Sequence, residues 1–282
     1  MRMPVNPILE TLRSIAHERS QGVPDEDFIL RSMWRVDHRS QPTPYERFMV
    51  YSFVMAQTVR QGCSYADFDS IQLGEWSDQL IGQDAREVRG SCREENIALL
   101  DAVFGALPRS PHETYTVNGG TVAKPLARSR IVVAEAMRLL RRHGGNRVAN
   151  VGVIGNFIHH LKQEGVDVTA SDFDPELIKH GILDVPVVSG RQSPQVVAEA
   201  DVALVCSETL ASDTLDELVA AAHDNGTKLV LFAVTGCHFA EEYCRTFGID
   251  AVISEPQPQY LFQGPSTLEV YRREDLATRA LR

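Results

Sequence analysis

From residue 147 onward, short runs of apolar, β-branched residues alternate with stretches in which apolar residues recur every three or four positions. The runs predict strands at 147–154 (RVANVGVI), 167–171, 185–188, 201–206 (DVALVC), 228–234 (KLVLFAV), 251–254 and 268–271. Helices are predicted between them at 157–164, 175–180, 193–199, 214–225 and 238–247; Leu215, Leu218, Val219 and Ala222 form one apolar face. Short apolar strands joined by helices indicate a mainly parallel sheet covered on both faces, and right-handed crossovers make it doubly wound. Before residue 147 the pattern is mostly helical and broken by Pro and Gly. Helices are expected at 6–20 (Ile8, Leu12, Ile15), 25–33 and 44–61 (Phe48, Tyr51, Val54, Met55). A further helix at 91–107 starts on a Ser91-x-x-Glu94 capping box, with Ile97, Leu100, Val103 and Phe104 at helical spacing. Residues 108–120 read as a linker or lid, and 127–143 as a helix closed by Gly144-Gly145. The expected fold is therefore α/β. A Rossmann-like, doubly wound domain (121–282) follows a smaller, mostly helical α+β domain (1–120).

Composition narrows the function classes. A formal net charge of −10 argues against general nucleic-acid binding. Five cysteines at irregular spacing do not suggest a disulfide framework. With no apolar run of bilayer length and no secretory pattern, the expected location is the cytoplasm. The expected partner is a small-molecule substrate, with neither nucleic acid nor membrane; a homodimer is left open.

In such a sheet, ligands sit beyond the carboxyl ends of the strands, where the strand order reverses. The first strand end, VGVIGNF, starts like a dinucleotide fingerprint with Gly152 and Gly155, but Ile154 and Phe157 stand where further glycines would admit a pyrophosphate. The turn suits a ligand without a pyrophosphate, lined by Gly152, Gly155 and Asn156, with Phe157 near any cationic centre. The second strand end offers Asp172 and Phe173. Asp172 is placed to accept ribose hydroxyls, and Asp174-Pro175 reads as a helix cap. The third offers Ser207, Glu208 and Thr209, with Glu208 a candidate general base. The fourth offers Thr235, Gly236, Cys237 and His238. Cys237, His238 and Cys244 are a conceivable soft metal set whose spacing matches no established zinc pattern, so no metal ligands are assigned. His159 and His160 are adjacent on a helix and cannot easily share one ion.

Four stretches, VGVIGNF, ASDFDPEL, ADVALVCSETLASDTLDEL and FAVTGCHFAEEYCRTFGIDAV, resemble the putative heavy-metal-chelation domain family over about residues 148–253. The resemblance implies a Rossmann-like domain preceded by an enolase-N-terminal-like domain, with the active site between them. Where that family commonly runs Gly-Pro-Ser-Thr-Pro, this chain has Val-Thr-Gly-Cys-His, and Ser254-Glu255-Pro256 follows the last matched strand where a glycine is common. The leading expectation is an S-adenosylmethionine-binding enzyme of specialised metabolism. It would perform alkyl transfer or intramolecular cyclisation on an amino-acid-like group, with Ser207, Glu208 and Thr209 catalytic and Gly152, Gly155, Asn156, Phe157, Asp172, Phe173 and Thr235 holding the cofactor. The alternatives are a protein that binds a divalent metal or a chelator, and an NAD-dependent oxidoreductase.

Overall fold

The computed structural model of the chain describes residues 6–66 and 75–279. The chain opens with α1 (Pro7–Arg19), capped by the Asn6 side chain, which accepts from Leu9 N. A three-residue-per-turn helix (Asp25–Phe28) leads into an antiparallel meander, β1 (Ser32–Ser40), β2 (Met49–Gln57) and β3 (Gln61–Ala66). Next come α2 (Glu75–Leu80) and α3 (Arg93–Ala106), and then β4 (Glu113–Val117) and α4 (Ala123–His143).

The alternating part follows in order: β5 (Arg147–Val151), α5 (Gly155–Gln163), β6 (Asp167–Asp172), α6 (Pro175–His180), β7 (Val187–Ser189) and α7 (Ser193–Ala198). It continues with β8 (Val202–Cys206), α8 (Glu208–Ala211), α9 (Leu215–Asn225), β9 (Lys228–Ala233), α10 (Ala240–Arg245) and β10 (Ala251–Ser254). The chain ends with β11 (Ser266–Arg272) and α11 (Arg273–Arg279).

The large sheet has eight strands in the order β4-β11-β10-β9-β8-β5-β6-β7. The six from β10 to β7 are parallel; β11 and β4 join antiparallel at one edge. Counted from β5, the parallel strands follow the 3-2-1-4-5-6 order of a Rossmann sheet, so the expected fold class is the observed one. Period-two side chains feed two separate cores. Ala203, Val205, Leu229 and Leu231 face α9 and α10, whereas Leu204, Val230 and Phe232 face α4 and α5.

Three segments differ from the sequence expectation. Residues 44–61 contain β2 and not a helix. Val54 and Ala56 join one core while Phe53 and Met55 join the other, so β2 is buried on both faces and its sequence carries no clean period of two. Within residues 25–33 only Asp25–Phe28 form one tight turn of helix, and β1 already begins at Ser32. The stretch 108–120 contains β4, which pairs with β11, so the large sheet recruits a strand from before residue 120. The smaller unit is thus a three-stranded sheet backed by α3 and α1. β3 packs tightly on α3 at Gly62, where a Cβ would lie 2.2 Å from Ala102 N and Ala98 O. Among the described residues no helix is long and apolar enough to cross a membrane.

One charged residue ties strand starts together. Asp201, just before β8, accepts from Asn146 N and Arg147 N (2.9 Å each) and pairs with the Arg147 guanidinium. The Arg147 hydrogen bonds hold its pKa down to about 2, below the ordinary 3.8. Because the folded pKa is the depressed one, this stabilisation is present above the unfolded value and is lost as pH falls towards 2. The Asp201→Asn variant is expected to lose about 1 kcal/mol at neutral pH, discounted for a partly exposed pair. In urea titrations across pH, the gap to the unmodified protein should close on the acid side.

Candidate functional site

The carboxyl ends of β5 and β8 flank the point where strand order reverses, and the small sheet sits over them. The turn after β5 places Gly152 at φ +72°, with its missing Cβ facing Cys206. The first turn of α5 exposes the amides that would greet an anionic ligand in a nucleotide-binding fold. Here Glu46, from the loop before β2, takes that place. Its carboxylate accepts from Gly155 N (2.9 Å) and Asn156 N (3.2 Å). A Cβ on Gly155 would lie 1.9 Å from the Tyr45 carbonyl oxygen, so the same loop needs a glycine there. Tyr45 stacks on His159 at 3.6 Å between ring centroids, Thr43 donates to Asn156 Oδ1 (2.8 Å), and Arg47 pairs with Asp174. Burial pushes the Glu46 carboxyl up, against the pull of the two amides and Arg128.

Beneath this loop lies a cavity lined by Tyr51, Phe53, Cys206, Glu208, Arg128 and Tyr260, among others, with a volume of about 30 Å³. That is room for a water molecule or two. Arg128 lies 3.0 Å from Glu255 and stacks 3.8 Å from the Tyr260 ring centroid. Desolvation opposes its charge, but Glu255, Tyr260 and Glu46 outweigh it. Glu208 faces the cavity, its carboxyl raised by burial and by the nearby Asp172, against the opposing pull of the Cys206 thiol and Arg128.

The other sequence candidates are engaged in the fold. Ser207 Oγ accepts from Val234 N and Thr235 N (3.1 and 3.0 Å), and Thr209 Oγ1 donates to the Cys206 carbonyl (2.7 Å). Thr235 Oγ1 accepts from Tyr65 N (2.9 Å), linking β3 to the end of β9. Asp172 accepts from Val153 N (2.8 Å) and Asp174 N (2.9 Å). Phe157 is 1% exposed and packs edge-on to Phe232, so it faces the core and not a ligand. Phe173 is exposed and covers Gly190.

A second constellation lies where α3, β3 and the turn after β9 meet. Asp101, on α3, is fully buried. Its Oδ2 accepts from Cys63 N (2.8 Å) and from Cys237 Sγ (3.5 Å), and its Oδ1 accepts from His238 N (2.7 Å). His238 Nδ1 is 3.0 Å from the Asp101 carbonyl oxygen. A carbonyl only accepts, so Nδ1 carries a proton here. Ligand atoms of Asp101, Cys237 and His238 all lie within 4.8 Å of one another. Burial, with Asp101 close by, pushes the Cys237 thiol well up. Gly236, at φ +60°, makes the turn that presents both residues. Cys244 does not join them; it is buried in the core on α10. His159 stacks on Tyr45, and His160 Nδ1 meets Gln163 at 3.0 Å.

Sequence reasoning passed over Asp101, Glu46 and Arg128. For Asp101 a signal existed. It stands among Ile97, Leu100 and Phe104 on the apolar face of α3, where a carboxylate is costly without partners. Asp101→Ala would leave two buried amides unpaired and is expected to cost roughly 2–6 kcal/mol in urea unfolding. Asp101→Asn, which keeps one acceptor oxygen, should cost less.

Comparison with known proteins agrees with this architecture. Residues 135–252 match the family model described as putative heavy-metal chelation. A protein with unknown function of that family from Desulfitobacterium hafniense DCB-2 superposes with a TM-score of 0.55 at 13% identity, covering 92% of this chain and 98% of its own. Another from Pyrococcus horikoshii also gives 0.55, at 14% identity, covering 94% and 99% respectively. At such identities the likeness is one of fold. No curated protein matches the chain. It is thus over residues 135–252 that the chain is similar to the putative heavy-metal-chelation family, which the strand-end motifs also resemble.

Proposed function

We propose that this protein binds a divalent transition-metal ion through Asp101, Cys237 and His238. The observation that carries the reading is the convergence of a carboxylate, a thiol and an imidazole within 4.8 Å, drawn from both halves of the chain. Thiol and imidazole donors suit zinc- or copper-like ions over magnesium or calcium. Bonds of about 2.0–2.3 Å to one ion place its ligand atoms roughly 3.3–3.8 Å apart; Cys237 Sγ and His238 Nδ1 stand 3.5 and 3.4 Å from the Asp101 carboxylate, and the three ligand atoms lie within 4.8 Å of one another. His238 Nδ1 is the ring nitrogen beside the Asp101 carboxylate (3.4 Å), so ligation through it exchanges its hydrogen bond to the Asp101 carbonyl for the ion, with the ring proton moving to Nε2. Three protein ligands leave a coordination position for an exogenous group. The family description supports the same reading for residues 135–252.

The alkyl-transfer reading would place a nucleoside-bearing cofactor in the strand-end cavity. Ligand pockets of that kind enclose about 300–1,000 Å³, and about 30 Å³ is present beneath the Glu46 loop. The same loop occupies the helix end that a dinucleotide would use. Metal binding needs no such space.

Cobalt(II) titration of chelator-treated protein tests the proposal. One equivalent is expected to bind with a near-ultraviolet thiolate-to-metal absorption band. Cys237→Ser should abolish that band, and Cys244→Ser should leave it. Equal binding and absorption in Cys237→Ser would overturn the assignment, as would the lack of any saturable site. Since the Cys237 thiol is held protonated by burial, binding must displace its proton. Affinity is therefore expected to rise with pH, and calorimetry in buffers of different ionisation enthalpy should register about one proton released per ion.

A further inference from the structure

We propose that the cavity beside His238 is a binding site for a small oxyanion, a carboxylate or a phosphate. The cavity has a volume of about 250 Å³ and is lined by Gln57, Arg60, Gln61, Arg109, His238 and Gln257, with Val59 and Pro256. It forms where the β2–β3 hairpin tip meets the segments after α3, β9 and β10. In a chain of net charge −10, its walls hold two guanidinium groups, an imidazole and three primary amides, and no carboxylate.

The Arg60 charge is not already spent within the fold. The Arg60 guanidinium makes no hydrogen bond or ion pair with any described residue. Arg109 Nη2 lies 3.5 Å from Glu269 in the adjoining groove, but its Nη1 is buried with no hydrogen-bond partner. Arg60, exposed on the cavity wall without an acid partner among the described residues, is available to donate charge-assisted hydrogen bonds to an oxyanion there. Paired N–H donors in a fixed plane match carboxylate and phosphate oxygens, and the amides add neutral donors around the same centre. His238 is 5% exposed and forms part of the wall. The volume lies below the usual range for drug-sized ligands, about 300–1,000 Å³, which selects a small anion over a nucleotide.

This inference does not rest on the metal reading. The two adjoin at His238, so an anion seated here would stand next to the Asp101–Cys237–His238 cluster. The test is therefore run on chelator-treated, metal-free protein by calorimetry and thermal shift. Inorganic phosphate and citrate are the two probes, and sodium chloride of matched ionic strength is the control. Saturable binding of at least one probe, with a rise in Tm that chloride does not reproduce, is expected. The probe that binds decides between phosphate and carboxylate. Loss of one charge-assisted hydrogen bond corresponds to about a tenfold change in Kd. Arg60→Gln should therefore weaken binding by about tenfold or more, and Arg60→Gln with Arg109→Gln by more still. Arg141→Gln, an exposed arginine on α4, should leave it unchanged. Arg60 is exposed, so its single variant tests the proposal even if the double variant does not fold. Unchanged affinity in Arg60→Gln would overturn the proposal, and so would a response to both probes no greater than to chloride.

Discussion

Among the contacts that hold the two halves of this molecule in register, the most deeply buried charge is one carboxylate, Asp101. Asp101 projects from α3 of the small unit and accepts hydrogen bonds from β3 and from the turn after β9 of the large one. Stripping a carboxylate of water is expensive, and only the hydrogen bonds it accepts make the position tolerable. The same requirement draws Cys237 and His238 to it. Structural clasp and candidate metal centre are therefore one arrangement. The groups that satisfy Asp101 in the fold are also those that converge with it as possible ligands. The β3–α3 contact at Gly62 sets how near the two elements can come, and so where the Cys63 amide stands relative to Asp101.

The second consequence of docking the small sheet onto the strand ends is that the usual Rossmann ligand position is filled from within. Glu46 supplies the negative charge that the first turn of α5 favours. Tyr45 and Thr43 hold its loop against the same helix. Deeper in, Arg128 and Glu255 form a buried pair under Tyr260. Little open volume is left at the switch point, whereas more remains along the hairpin tip. The chemistry available to the chain thus shifts sideways from the expected crevice to the seam between the units, where thiol, imidazole, carboxylate and guanidinium groups meet.

Legibility from sequence follows burial geometry. The strands β5, β6, β8, β9 and β10 were readable because each is a short apolar run set off by helices of clear period. β2 was not, because it is packed on both faces and shows apolar residues at nearly every position. β4 hid among prolines and glycines, since an edge strand needs only one partner and tolerates exposed polar side chains. Among the site residues, Cys237 and His238 stood out because they end a strand. Cys244 looked equally suitable, but it points into the core and Asp101 takes its place.

By itself, then, the sequence determined the parallel sheet, its Rossmann order of elements and the four strand ends at which chemistry was to be sought. Those are properties of local periodicity and of chain connectivity. Only the tertiary structure decided that Glu46 closes the helix end, that Asp101 joins Cys237 and His238, and that Arg60 and Arg109 face one cavity. Each of these joins residues far apart along the chain. Such pairings depend on how the small sheet docks onto the large one, and no local pattern along the chain encodes that contact.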